Sequence, residues 1–376
     1  MKKTTLFFFL SLLLTNCRDP YDIPINPSDK SLLVVEGVLN SGTGATRIIL
    51  SKSSTNNQPY TPQPELDAKL VVEGKDNSIQ SLTETGGGIY GSSQLTLQPD
   101  MEYRLKIITI NGKAYASDYV KVLNTPPIDS VSWKKENDGI TIYVNTHDPS
   151  SDAGYYQWDY EETWEHHATY HANYKWNPSS QTIVPMLPGE DFFYCWSSNN
   201  SKNLLLGSSS QFQTDMIHEM PMTFIPEGSE KMNTRYSILV HQRRLDKTGY
   251  EYLQLMKKNT EQLGSIFDPQ PSELRGNIHC LSNPEESVIG YLTASSLSEQ
   301  RIFITSTQAG WSNYDYCTNF EIPNDPDSVK SYIANFYLPF DADRSPGGGI
   351  AGWYFSESYC VDCRVRGGIT VKPAFW

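Results

Sequence analysis

Carboxylate and imidazole side chains are concentrated in Glu161-Glu162-Thr163-Trp164-Glu165-His166-His167, with His171 shortly after it. Together these groups are ligands for zinc and other transition metals. On a strand, residues two apart share a face, so Glu165 and His167 point to one side and His166 to the other. A metal site built from Glu165, His166, His167 and His171 would therefore need help from another strand. The alternative is a solvated strand end, which the missing His-Glu-x-x-His spacing favours.

Aromatic residues alternate along the same predicted strand and continue beyond it. Tyr156, Trp158 and Tyr160 lie on one face, where they form either a core or a stacking surface. We expect a core for these three. Tyrosine and tryptophan can also stack on sugar rings or hold a protein interface, because they combine a large rigid ring with a polar tip. The candidates for ligand or partner binding are Trp164, Tyr170, Tyr174 and Trp176.

The cysteines point to structural disulfides. Cys360-Val361-Asp362-Cys363 has the spacing of redox and zinc motifs, but it lacks a thioredoxin-like strand-to-helix context and a second cysteine pair. In an oxidising compartment such cysteines are usually bridged. Five is an odd number, so at most two disulfides form and one thiol remains. The pairing stays open among Cys195, Cys280, Cys317, Cys360 and Cys363.

Cys17 follows a basic and then an apolar segment at the start of the chain, which is the order of a secretory signal. Leu14-Thr15-Asn16-Cys17 looks like a bacterial lipobox, so we expect residues 1–16 to be removed and Cys17 to be acylated. Residues 17–30 then form a lipidated tether that is rich in proline and aspartate. Asp19 and Asp22 resemble a surface-export signal. These features predict a lipid-anchored outer-membrane protein at the cell surface.

Composition excludes several classes of function. The 376 residues include 43 acidic and 30 basic ones, for a net charge of −13, and such a chain repels the phosphates of nucleic acid. Gly86–Gly88 and Gly347–Gly349 lack the Lys-Ser/Thr of a phosphate loop. We found no catalytic motif in the sequence. We therefore expect a protein that is not an enzyme and that carries no cofactor.

Short β-branched runs between turn residues predict a mainly β fold of tandem sandwiches. One amphipathic helix is expected near residues 248–264, where Thr248 and Glu251 have the spacing of a capping box. The Thr125-Pro126-Pro127 segment should separate the two sandwiches. The predicted domains are an Ig-like or prealbumin-like sandwich at 31–124, a fibronectin type III-like domain at 125–310 and a disulfide-fixed C-terminal cap at 311–376.

The order of several short motifs resembles the Bacteroidota outer-membrane lipoproteins catalogued as domain of unknown function 4249. The resemblance covers nearly the whole mature chain. It rests on Cys17 with Asp19-Pro20, Leu33-Val34-Val35-Glu36-Gly37, Leu50-Ser51-Lys52, Tyr160-Glu161-Glu162-Thr163-Trp164-Glu165, Gly276-Asn277-Ile278-His279-Cys280, Ile289-Gly290-Tyr291, Cys360-Val361-Asp362-Cys363-Arg364 and Lys372-Pro373-Ala374-Phe375-Trp376. Asn16 departs from the small residue usual before a lipidated cysteine.

The setting of these similar proteins implies a role beside TonB-dependent outer-membrane transporters. Our leading hypothesis is a non-catalytic accessory protein that binds such a transporter or its substrate. A glycan-binding surface lipoprotein, a peptide ligand and a metal-binding protein remain as alternatives.

Overall fold

The structure of the chain is a computed structural model that describes residues 31–53, 63–150, 153–212, 214–261, 274–311 and 316–376. Within these ranges 50% of the residues are in β-strands and 12% in helices, so the predicted mainly β class is confirmed. Their buried side chains form three hydrophobic clusters, and each cluster is the core of one structural unit. Among the described residues, no helix is long and apolar enough to span a bilayer.

In the first unit, the described residues form one sheet of eleven strands. Alternation places one face of each strand on the core, as in β7, where Tyr103, Leu105 and Ile107 are buried and their neighbours are not. The strands are β1 Leu33–Asn40, β2 Thr46–Lys52, β3 Gln63–Pro64, β4 Lys69–Gly74, β5 Ile79–Gly86, β6 Ile89–Ser92, β7 Glu102–Ile108, β8 Ala114–Ser117 and β9 Val120–Leu123, with β19 Ile278–Cys280 and β20 Thr293–Ser295.

This sheet closes on itself. Consecutive pairings run from β7 through β4, β5, β6, β2, β1, β20 and β9, and β9 pairs back with β7 at Glu102–Lys121 and Tyr103–Val120. Closure hides the strand edges that would otherwise be open to pairing. The Ig-like or prealbumin-like type of sandwich stays a prediction.

The first unit is completed by residues far along the chain. β20 pairs in parallel with β1 and β9, and β19 pairs antiparallel with β8. The predicted domain at 125–310 is therefore corrected for residues 278–295, which belong to the first unit. Sequence alternation identifies a strand but does not say which sheet it joins.

Two glycines permit this return of the chain. Gly290 has φ +144°, and a Cβ atom there would lie 2.3 Å from the carbonyl oxygen of Val35. A Cβ atom at Gly276 would lie 1.7 Å from the carbonyl oxygen of Gly290. Only glycine allows backbones to approach so closely. The segment around Gly290 is thereby held against β1, where the Val35 amide donates to the Ile289 carbonyl at 2.8 Å.

The second unit has two antiparallel sheets that share one core. β12 is central because β18 pairs along one edge, while β15 and β16 pair in succession along the other. Tyr156 and Trp158 of β12 are fully buried in this core, and Tyr160 packs against it. The fibronectin type III-like type stays a prediction. The strands are β10 Ile128–Lys135, β11 Gly139–Asp148, β12 Tyr155–His167, β15 Tyr194–Asn200, β16 Leu205–Ser208, β17 Asp215–Pro226, β18 Arg235–Leu245 and β21 Leu297–Thr305.

The predicted amphipathic helix is present as α1, Lys247–Glu261. Its first turn is capped by Asp246, whose Oδ1 accepts from the Gly249 amide at 2.6 Å, rather than by Thr248 as the sequence suggested. Gly264, the expected end of the helix, lies outside the described residues. The expectation of a single helix is wrong, because a short α2 at Ser306–Ala309 and two helices in the C-terminal unit are also present.

The third cluster belongs to a C-terminal unit, in which β24 pairs with β22 and β23. A hairpin that leaves the second unit after β12 packs on this sheet and contributes Tyr174, Trp176 and Ile183 to its core. The unit is therefore larger than the predicted cap at 311–376. Its elements are β13 Tyr174–Asn177, β14 Thr182–Pro185, β22 Phe320–Pro323, α3 Pro326–Ala334, β23 Tyr337–Arg344, β24 Ile350–Glu357 and α4 Ser358–Val361.

Two disulfides hold the C-terminal unit, which confirms the expected number and the disulfide-fixed cap. Cys363 bridges to Cys195 on β15, and Cys360 bridges to Cys317. Cys280 is the free thiol among the described cysteines, and it is buried in the first unit. The two members of the Cys360–Cys363 motif thus bond to different partners, so the motif acts as a double covalent link.

Candidate functional site

An open groove of about 610 Å³ lies in the C-terminal unit between the β13–β14 hairpin and the segment that carries the disulfides. Tyr174 and Trp176, two of the aromatic candidates, line it together with Phe192. Tyr174 and Trp176 are half-buried because part of each ring packs on the third core. These two candidates are therefore only partly accessible to a ligand, since the hairpin folds back onto the C-terminal sheet.

Charged side chains form the polar part of this groove, and they are already paired. Lys175 donates to Glu190, and this bond, with that from the Leu187 amide, holds the pKa of Glu190 below its ordinary value. The Arg364 side chain donates to both carboxylate oxygens of Asp362, with Nη2 at 2.7 Å from Oδ2. Pairing holds these groups in place while leaving oxygen and nitrogen atoms that a polar ligand can contact.

The other two aromatic candidates lie outside the groove. Trp164 packs against the second core, and its indole nitrogen donates to Glu230 at 3.2 Å. Tyr170 stacks on Phe340 with a centroid separation of 4.5 Å, and its hydroxyl donates to the Cys317 carbonyl oxygen at 3.0 Å. Both rings therefore take part in internal packing.

The structure separates the four residues considered as metal ligands. His166 is fully buried beside Ser197, with Nε2 and Oγ 3.0 Å apart. Glu165 accepts a hydrogen bond from Trp376, while His167 and His171 stack on Phe193 with centroid separations of 5.0 and 3.5 Å. Within the described ranges, no group of three or more His, Cys, Asp or Glu residues is arranged to hold a metal ion. The metal hypothesis is set aside, because strand alternation and ring stacking point these groups apart.

A second cavity of about 410 Å³, which we call the junction cleft, lies between the first and second units. Its floor is the outward face of β1, where Val34, Glu36 and Val38 share one side of the strand. Helix α1 lines the opposite wall with apolar side chains, and β18 and β21 line the end. Sequence reasoning missed this cleft, because its walls come together only when residues 289–293 return to β1.

A row of ionisable groups crosses the second unit beside the cleft. Asp159, His241 and Glu299 lie directly opposite one another on β12, β18 and β21. His241 Nδ1 is 2.6 Å from Asp159 Oδ1, and its Nε2 is 3.2 Å from Glu299. Burial alone would lower the pKa of His241, but the bond and charge of Asp159 outweigh it and raise that pKa. Arg243, which lines the cleft, donates to the same Asp159 at 2.5 Å.

Cys17, the predicted signal at 1–16 and the tether at 17–30 lie outside the described residues. The lipid-anchored outer-membrane localisation therefore stays a prediction, as do the transporter partner and the exclusion of nucleic acid.

Comparison with known proteins identifies a family but no activity. The family model described as "Domain of unknown function (DUF4249)" matches residues 18–301, which is more than half of the chain. No curated protein matches. Two solved structures show low similarity, each with a TM-score of 0.15, and neither supports a conclusion about fold or function. The chicken interferon gamma receptor alpha chain is 11% identical, and the match covers 57% of this chain and 88% of the receptor chain. Chitinase ChiA74 from Bacillus thuringiensis is 12% identical, and the match covers 49% of this chain and 30% of the chitinase chain.

Proposed function

This chain belongs to the DUF4249 family, and we propose that it is a non-catalytic surface lipoprotein that binds a glycan in its C-terminal groove and serves a TonB-dependent outer-membrane transporter. The observation that carries the proposal is the pairing of aromatic and charged side chains in the groove. Tyr174 and Trp176 offer ring faces, and the Lys175–Glu190 and Asp362–Arg364 pairs offer polar atoms. Sugars need both, because their C–H faces stack on rings while their hydroxyls form hydrogen bonds.

The groove is also suited to a binding role by its construction. The Cys195–Cys363 bridge and the hydrogen bond from the Cys363 amide to the Phe192 carbonyl oxygen, 2.9 Å, fix one wall. Tyr174 is held by Arg344, whose Nη2 donates to the tyrosine hydroxyl at 2.7 Å. Such preorganisation lowers the conformational entropy that a ligand must overcome.

The location outside the cytoplasm is supported by two features. Disulfides persist in oxidising compartments, and this chain has two. The sequence before Cys17 has the order of a lipoprotein signal, and acylation there would hold the protein at a membrane. A binding unit on a lipidated tether could then reach a neighbouring transporter.

A glycan-array screen of the wild type and of Trp176→Ala tests the ligand. We expect the wild type to bind a defined set of glycans and Trp176→Ala to lose that binding by at least tenfold. Tyr359→Ala is the control, because this exposed tyrosine of the same unit does not line the groove. A melting temperature for each variant separates lost binding from lost folding. A wild type that binds no glycan would refute this ligand.

Co-purification tests the partner. The lipoprotein is crosslinked in intact cells and recovered from solubilised outer membranes, and we expect a β-barrel transporter to accompany it. Replacement of Cys17 by Ser should abolish both membrane attachment and this recovery. Recovery of the lipoprotein alone after crosslinking would contradict the transporter role. The proposed glycan ligand would not be affected by that result, because the glycan-array screen tests it separately.

A further inference from the structure

We propose that the junction cleft is a second binding site, and that it takes a small zwitterionic ligand with an apolar side chain, such as a hydrophobic amino acid or a short peptide. The cleft, of about 410 Å³, is within the usual size of small-molecule sites, which is roughly 300–1,000 Å³. It also lies where two units meet, a common place for such sites.

The floor of the cleft supplies one charge of each sign. Glu36 on β1 and Arg47 on β2 both line it and both are exposed. Arg47 lies directly opposite Val38, so it is the diagonal neighbour of Glu36, at roughly 7–8 Å between Cα atoms. Among the described residues, neither side chain has an ion pair. The two groups can therefore accept an ammonium and a carboxylate that are held a short distance apart.

Arg243 adds further donors at the end of the cleft. One of its nitrogens, Nη1, donates to Asp159, and this bond fixes the guanidinium in place. A guanidinium has five N–H donors, so several remain to meet a ligand carbonyl or carboxylate. A peptide has more such acceptors than a free amino acid.

The opposite wall is apolar. Leu253 and Met256 of α1 line it, together with Leu204, Leu245 and Leu297 from the second unit. Methionine and leucine adapt to side chains of different shape. This wall is fixed to the floor by Tyr252, whose hydroxyl accepts from the Gly290 amide at 3.0 Å. A ligand bound here would therefore place its charged ends on the floor and its apolar side chain against the helix.

The inference is tested by isothermal titration calorimetry on the full chain with leucine, leucyl-leucine and leucyl-leucyl-leucine. We expect saturable binding of at least one of them, and the tightest member distinguishes a free amino acid from a peptide. The same ligand with a blocked amino group, and the same ligand with an amidated carboxyl group, should each bind at least tenfold more weakly. Saturable binding by none of the three would overturn the proposal.

Charge-neutral variants locate the site. Arg47→Gln should weaken binding at least tenfold and abolish the preference for a ligand with a free carboxylate. Glu36→Gln should also weaken binding at least tenfold, and it should abolish the preference for a ligand with a free amino group. Lys69→Gln and Glu285→Gln are matched controls, because both residues are exposed and neither lines the cleft. We expect them to bind within twofold of the wild type. Unchanged affinity in both cleft variants would overturn the assignment to the junction cleft. A loss of binding to the same ligand in Trp176→Ala would also overturn it, because Trp176 lines the other groove.

Discussion

The indole nitrogen of Trp376 donates a hydrogen bond to Glu165 Oε2 at 2.8 Å, and so joins Trp376 to the C-terminal end of β12 in the second unit. The Arg235 guanidinium lies 5.3 Å from the Trp376 ring, and Phe303 meets that ring edge-on at 5.6 Å. The C-terminus is therefore fastened across the strands β12, β18 and β21. Glu165 is occupied by this contact, which explains why it does not join the neighbouring histidines.

Replacing Trp376 by alanine should release this terminal contact. A hydrogen bond to a charged group contributes about 1.5–3 kcal/mol, and ring packing adds to it, so we expect a loss of about 2 kcal/mol in the free energy of unfolding. Urea denaturation measures the loss. Val371→Ala serves as the control, because Val371 is 70% exposed. Equal stability of the Trp376 variant and the wild type would contradict the account.

Glu162 is 1% exposed and depends on two partners. Lys231 Nζ and the Tyr236 hydroxyl each donate to it at 2.6 Å, and burial together with Glu162 raises the pKa of Tyr236. Lys231→Met should destabilise the protein by about 3 kcal/mol, because it leaves a buried carboxylate without its counter-charge. The double variant Glu162→Gln with Lys231→Met should recover part of this loss. A double-mutant cycle measured by urea denaturation gives the coupling free energy between Glu162 and Lys231. Additive losses in the free energy of unfolding would show that the two residues are not coupled.

The two disulfides should be separable in their effects. Replacing Cys195 and Cys363 by alanine opens a link across 168 residues, and we expect a cost of about 2–5 kcal/mol. Replacing Cys317 and Cys360 opens one across 43 residues and should cost less. The melting temperatures of both variants show which disulfide contributes more to stability. Cys280→Ala is the control, and its melting temperature should remain sensitive to reductant. Non-reducing peptide mapping that joins other cysteines would refute the pairing.

The ionic row beside the cleft predicts a pH dependence. The raised pKa of His241 means that its contribution to stability is complete below the unfolded value of about 6.5 and is lost as the pH rises through the folded value. Asp159 acts in the opposite sense. Burial would raise its pKa, but His241 and Arg243 lower it, so its contribution is lost as the pH falls through that lowered value.

We therefore expect the stability difference between wild type and His241→Gln to be largest between about pH 4 and 6.5 and to shrink above that range. Urea denaturation over pH 4–9 measures it. His147→Gln is a control, because His147 also has a raised pKa, from Asp129, but lies on an exposed strand end. A difference that grows with rising pH would contradict the assignment.

Several features followed from local sequence alone. The alternation of Tyr156, Trp158 and Tyr160 along β12 correctly predicted residues of the second core. The odd number of cysteines correctly predicted two bridges and a free thiol. Each of these inferences depends on residues that are close in sequence or on simple counting.

The candidate sites depended on contacts that no local pattern contains. Tyr174 and Trp176 were identified by residue type, but their half-burial comes from a hairpin that folds onto β23 and β24. Residue type makes His166 a candidate metal ligand, but His166 is fully buried beside Ser197 and apart from the other candidates. The junction cleft had no sequence signal, because Glu36 and Arg47 are ordinary surface charges until α1 is placed above them.

The sequence by itself determined a mainly β chain with a leader-like start, a set of strands with defined inward faces and two disulfides of unknown pairing. These properties follow from a strand period of two and from the chemistry of single residues. Only the tertiary structure decided that residues 278–295 complete the first unit, that Cys360 and Cys363 bond to separate partners, and where the groove and the cleft form. The physical reason is that strand pairing and disulfide formation depend on proximity in space, which a one-dimensional pattern of hydrophobicity does not specify.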